Sequence, residues 1–151
     1  MHIDFTPEHR ALRKDIRSYY RQLFTPELRA KFDAEYEEMG GPVFREIVGR
    51  MGEDGWLGIG WPEEYGGKGF TALEQFIFWD ETYRARAPLA IISVNTIGPT
   101  IMQHGSAEQK ADFLPKITRG EMFFGVGYTE PSAGTDLAHS RRARNATATS
   151  T

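Results

Sequence analysis

No cysteine occurs anywhere in the 151 residues, which excludes a disulfide framework, a thiolate metal site and a cysteine nucleophile together. Cytosol is the compartment this points to. Also missing is any run approaching the roughly 20 apolar residues that a membrane span needs. The opening residues carry no basic stretch followed by an apolar one, so neither membrane insertion nor secretion is expected. A field of one sign is lacking too: 18 Lys and Arg against 21 Asp and Glu leave a formal net charge of -3, which gives a polyanion little to hold and argues against nucleic acid as a partner. The histidines are scattered without the i, i+4 spacing and nearby carboxylate of a metal site, so no metal ligand is assigned. The acid pairs Glu37, Glu38 and Glu63, Glu64 read as solvated surface, and no catalytic residue is assigned.

What is present is a globular composition, 40% hydrophobic and 13% aromatic, enough to bury a core. Helix starts are marked by capping residues. Thr6-Pro7-Glu8 offers a cap oxygen, a proline suited to the first turn and an acid at the positive end of the dipole. Behind it Leu12, Ile16, Tyr19, Tyr20 and Leu23 form one face, with Arg10, Arg13, Arg17 and Arg21 largely on the other. Thr25-Pro26-Glu27 repeats the signal for a more polar second helix, stopped by Gly40-Gly41-Pro42. Val43, Phe44, Ile47, Val48 and Met51 mark a third.

Between Gly52 and Gly69 the chain is rich in glycine and holds Trp56, Trp61 and Tyr65, which predicts a long ordered loop pinned by its aromatics. Thr71 with Glu74 forms a capping box for a helix whose mostly apolar face is expected at Leu73, Phe76, Ile77, Asp80 and Tyr83. Residues 87–102 are almost uncharged and predict the most buried helix, kinked where Pro99 lacks an amide, with Gly105 as a left-handed cap. Ser106 to Gln109 is a second capping box, opening a short helix expected to end near Leu114 and Pro115. After Gly120 the period changes: residues 122–129 are aromatic and punctuated by glycine, the pattern of a buried strand, followed by a turn.

The string Gly127-Tyr128-Thr129-Glu130-Pro131-Ser132-Ala133-Gly134-Thr135-Asp136 resembles the flavin-strand signature of the acyl-CoA dehydrogenase family. Two upstream blocks agree in order and spacing: Gly55-Trp56-Leu57-Gly58 through Pro62 to Gly67, and His104-Gly105 through Gln109-Lys110 and Leu114-Pro115-Lys116 to Gly120-Glu121. The resemblance spans residues 3–138. It implies an all-α helical bundle of five or six helices over residues 1–120, then a first strand and flavin-contacting turn of an incomplete β domain over 121–138.

It further implies FAD as cofactor and α,β-dehydrogenation of an acyl-CoA thioester, in lipid or steroid side-chain breakdown. The position matching Thr129 would contact the flavin ring, and those matching Val126, Tyr128 and Gly134 would line the same site. That matching Thr135 would reach both flavin and acyl-CoA. The residue types suit this role, because a glycine lets backbone approach a ring and threonine hydroxyls can bond its polar atoms. The family's base is a glutamate of a carboxy-terminal domain, and no Glu here is assigned to it.

A chain of this kind alone would be inactive. Its alternatives are a non-catalytic helical partner of another acyl-CoA dehydrogenase subunit, or part of a flavin oxidase or monooxygenase on the same scaffold. Residues 139–151 turn basic, then to alanine, threonine and serine, without apolar alternation. They are expected to be a disordered non-family tail of the kind a shifted reading frame would leave.

Overall fold

The computed structural model describes residues 4–35, 40–129, 131, 134 and 135. Among them the secondary structure is entirely helical, with six α-helices: α1 Pro7–Leu23, α2 Pro26–Ala34, α3 Pro42–Glu53, α4 Ala72–Arg84, α5 Gly98–His104 and α6 Ala107–Thr118. A 3₁₀ turn lies at Glu63–Tyr65, and Ile92–Ile97 is wound as a π-helix running into α5. The expected tail at 139–151 lies outside the described residues, as do Glu130, Ser132, Ala133 and Asp136 of the signature string and the acid pair Glu37, Glu38. No described helix is long and apolar enough to cross a membrane.

Four helices begin where a side chain accepts a free amide. Thr6 takes His9 N–H and Thr25 takes Leu28 N–H. Thr71 and Ser106 form reciprocal boxes with Glu74 and Gln109. Such caps each contribute about 1 kcal/mol. α1 then lays Ile16, Tyr20 and Leu23 inward against α4. α2, polar though it reads, still buries Leu28 and Phe32 and packs on α3. α3 contributes Val43, Ile47, Val48 and Met51 to the shared core, at about 1.5–3 kcal/mol for each large side chain taken fully out of water.

The glycine-rich loop is pinned by its aromatics as expected. Trp56 stacks on Phe78 with ring centroids 5.8 Å apart and packs on Tyr19 at 5.2 Å. Trp61 is buried, and its indole N–H donates to the Val94 carbonyl at 3.0 Å. That bond follows from the winding of the chain beyond it. In the π-helix the Gly98 amide bonds back to the Ser93 carbonyl. The next donor in that ladder would be residue 99, a proline with no N–H, so the Val94 carbonyl needs a partner from outside. Gly98 makes room for it: a Cβ there would lie 2.0 Å from Cζ2 of Trp61.

Charge is buried as well. Arg13 is largely withdrawn from the solvent face that helical spacing predicts, whereas Arg17 stays about half exposed on it and still turns its guanidinium inward. Arg13 pairs with Asp80 and, at 2.5 Å, with Glu81; Arg17 reaches Glu81 at 2.6 Å. The Glu81 side chain is only 2% exposed. Burial by itself would raise its pKa, but hydrogen bonds from the Arg17 and Arg13 guanidiniums outweigh that and hold the carboxyl below its ordinary value. Next to it Thr82 donates to the Phe78 carbonyl at 2.7 Å. Its only proton is then used, so Tyr20 must be the donor in the 2.6 Å contact between the two hydroxyls. Burial also pushes the Tyr20 phenol above its usual pKa, consistent with a donor.

Several expectations are corrected. On α4 the buried face is Ile77, Phe78, Glu81 and Thr82, whereas Leu73, Phe76 and Tyr83 are exposed, Tyr83 at 76%. The helix is apolar nearly all round, so periodicity alone does not choose its inner side. Residues 87–102 are not the most buried piece: Ile91 and Ile92 face outward. The distortion before Pro99 is a π-turn. Gly105 is extended, with φ -72 and ψ 152. α6 runs through Pro115 to Thr118, because the lost amide is only one bond against the burial of Leu114 and Ile117. No strand forms at 122–129, since a strand exists only by pairing and no described segment offers a ladder.

Candidate functional site

Where the chain leaves α6 decides where the signature string goes. Gly120 takes a left-handed φ of +69, and a Cβ there would come within 2.6 Å of the Val48 carbonyl oxygen, so both the turn and the close approach require glycine. The amides of Gly120 and Glu121 bond back to Ile117 and Lys116 and end the helix. Phe123 then lies edge-on to Phe44 at 5.7 Å, under the Arg45 guanidinium. Phe124 lies edge-on to Phe113 at 6.0 Å, and its amide donates to Ser93 Oγ at 2.9 Å. Ser93 belongs to the π-turn and is 3% exposed.

Beyond that anchor the segment comes to the surface. Val126 is 40% and Tyr128 65% exposed, and Thr129, Gly134 and Thr135 are exposed as well. A Cβ on Gly134 would meet nothing within 4 Å, so the domain's own packing does not explain that glycine. The five residues singled out in the sequence thus share one outward-facing stretch. It carries apolar and aromatic surface beside hydroxyls, and Ile91 and Ile92 are exposed on the turn that holds its start. Hydroxyls beside apolar and aromatic surface are the groups that would bond the polar edges and cover the face of a flat ring. The small cavity between the loop and α4, lined by residues such as Trp56, Gly60, Gln75 and Leu89, measures about 20 Å³, room for about one water.

Residues 6–121 match the family model described as acyl-CoA dehydrogenase, N-terminal domain. The chain belongs to the acyl-CoA dehydrogenase family. It is 49% identical over 142 residues to acyl-CoA dehydrogenase FadE26 of Mycobacterium tuberculosis, covering 93% of this chain and 36% of that relative. The match to acyl-CoA dehydrogenase FadE29 of the same organism is also 49%, over 141 residues, with the same coverage. Among solved structures, the ChsE4-ChsE5 complex from Mycobacterium tuberculosis aligns with a TM-score of 0.82 at 47% identity, over 93% of this chain and 35% of that one. The Tcur3481-Tcur3483 steroid ACAD aligns with a TM-score of 0.84 at 44% identity, over 93% of this chain and 36% of that one. The chain therefore spans about a third of the length of the relatives it matches.

Within this acyl-CoA dehydrogenase domain, two contacts escape sequence reasoning: the Val94 carbonyl taken by the Trp61 indole, and the Phe124 amide taken by Ser93. Ser93 leaves one faint signal, a hydroxyl in a run otherwise nearly apolar, which when buried must find a partner. The ion pairs of Glu81 leave none, because its partners lie 64 and 68 residues away.

Proposed function

We propose that this chain is the amino-terminal part of an FAD-dependent acyl-CoA dehydrogenase acting on acyl-CoA thioesters of the steroid side-chain or lipid type. The observation that carries the reading is the outward-facing stretch of Val126, Tyr128, Thr129, Gly134 and Thr135 in a member of this family. In it, Gly134 lets a ring approach the backbone, the Thr129 hydroxyl bonds a polar edge of that ring, and Val126 and Tyr128 cover its apolar surface. Thr135 would reach both the ring and the acyl-CoA. Flavin, when bound, supplies the hydride acceptor. No residue of this chain is given the role of base removing the α-proton, so the 151 residues by themselves are not expected to turn over an acyl-CoA.

Five contacts on one edge hold a dinucleotide weakly, with a Kd on the order of millimolar or above. The test is therefore a titration of the isotope-labelled chain with FAD, followed by amide chemical shifts. Shifts confined to residues 126–135 are expected; shifts confined to the helices would end the proposal.

A second reading is favoured by two structural neighbours, the ChsE4-ChsE5 complex and the Tcur3481-Tcur3483 steroid ACAD. In this reading the chain works as one subunit that completes or regulates another acyl-CoA dehydrogenase subunit. Co-expression with candidate dehydrogenase subunits, followed by gel filtration, separates the two: a chain that stays monomeric with every such subunit belongs to the first reading.

A further inference from the structure

Four polar or charged side chains are recorded as buried among the described residues: Glu81, Thr82, Ser93 and Thr118. Three are satisfied within the helical body. Glu81 has its arginines, Thr82 has Tyr20 and the Phe78 carbonyl, and Thr118 bonds the carbonyls of Leu114 and Pro115. Ser93 differs: its hydroxyl accepts the amide of Phe124, 31 residues on, in the segment that follows α6.

We propose that Ser93 is a positioning residue, clamping the start of the flavin-contacting segment to the helical layer and so fixing where Val126, Tyr128 and Thr129 stand. The proposal rests on the flavin reading given above. The rings of Phe123 and Phe124 already hold the segment sideways, but edge-on ring contacts tolerate sliding along the chain. A hydrogen bond to one named amide does not, because its strength falls steeply with angle and distance. Val126 lies two residues past the anchor, within about 7 Å of chain, and Thr129 within about 17 Å. The anchor therefore limits how far either residue can stray from the helical layer.

The clamp is itself held firmly. Ser93 sits on the π-turn whose orphaned Val94 carbonyl is taken by the Trp61 indole, and Trp61 fits only because residue 98 is glycine. π-turns of this sort recur at functional sites.

The experiment compares the 151-residue chain with its Ser93→Ala and Ser93→Thr variants by amide hydrogen exchange, then by the FAD titration. Ser93→Ala is expected to speed exchange of the Phe124 amide roughly fivefold to tenfold, the effect of losing one ordinary hydrogen bond, and to weaken the FAD-induced shifts at residues 126–129 about as much. The amides of Ile77 and Phe78 in α4 should keep their rates, and Ser93→Thr, which retains the hydroxyl, should restore both readouts. Unchanged Phe124 exchange in Ser93→Ala would overturn the proposal, as would an equal rise in α4, which marks general loosening. If the parent chain gives no FAD-induced shift, the flavin reading fails, and the exchange comparison still decides whether the clamp exists.

Discussion

The indole of Trp61 closes a hydrogen bond that Pro99 leaves open, donating to the Val94 carbonyl across 33 residues of sequence. Replacing it by Phe keeps most of the packing and removes the donor, leaving a buried carbonyl unpaired. Trp61→Phe is expected to cost about 1–3 kcal/mol, read as a lower urea midpoint at unchanged slope. Gly98→Ala should cost at least as much by overpacking, about 1–3 kcal/mol or more, because its methyl would overlap the same ring.

Glu81 joins α1 to α4 through two guanidiniums. Glu81→Gln removes the charge and leaves Arg13 and Arg17 facing a neutral amide. Arg17 is about half exposed and can be rehydrated, whereas Arg13 retains Asp80. The expected loss is therefore about 2–3 kcal/mol, below the roughly 3–5 kcal/mol typical of breaking a fully buried pair. Equilibrium denaturation measures it, and a loss under 0.5 kcal/mol, roughly the size of a surface substitution, would contradict it.

The same carboxylates set the response to acid. Asp80 is held below its ordinary pKa chiefly by its hydrogen bond from Arg84, and Glu81 is held low by its arginines against the opposing effect of burial. A folded value below the unfolded one means that the protonated form is favoured by unfolding. Their contribution is thus complete above the unfolded values of about 4 and is lost as pH falls through the lower folded values. The urea midpoint should stay level from about pH 7 to 5 and drop below about pH 4, with a shallower acid drop in Glu81→Gln.

The outward apolar residues make a fourth expectation. Leu73, Phe76 and Tyr83 on α4, Ile91 and Ile92 on the turn, and Val126 and Tyr128 beyond it are all exposed. The purified chain should associate as its concentration rises, and Phe76→Glu with Ile92→Lys should reduce this in light scattering without loss of helix signal. A chain that stays monodisperse at high concentration would show that these side chains cover one another.

The helix starts were legible in the sequence because their causes are local: Thr6, Thr25, Thr71 and Ser106 each act within three residues. The inner face of α4 was not. Leu73, Phe76, Ile77, Phe78, Trp79 and Tyr83 surround the helix, and the choice is made by what Arg13, Arg17 and Tyr20 offer from α1. For the candidate site, residues 126–135 were singled out by the resemblance of their string to a family signature, while the contact of Ser93 with Phe124 joins distant segments and no local pattern encodes it. Pro115 misled for the same reason, since a stop signal yielded to burial on both sides of it.

The reciprocal box at Thr71 reaches further than its own turn. It numbers the helix from a fixed origin, and Glu81 stands ten residues downstream of that origin. A slip of one position would swing every later side chain by about 100°, taking the carboxylate away from both guanidiniums and turning a neighbour inward in its place. A threonine at the molecular surface thereby selects which charge is hidden in the interior.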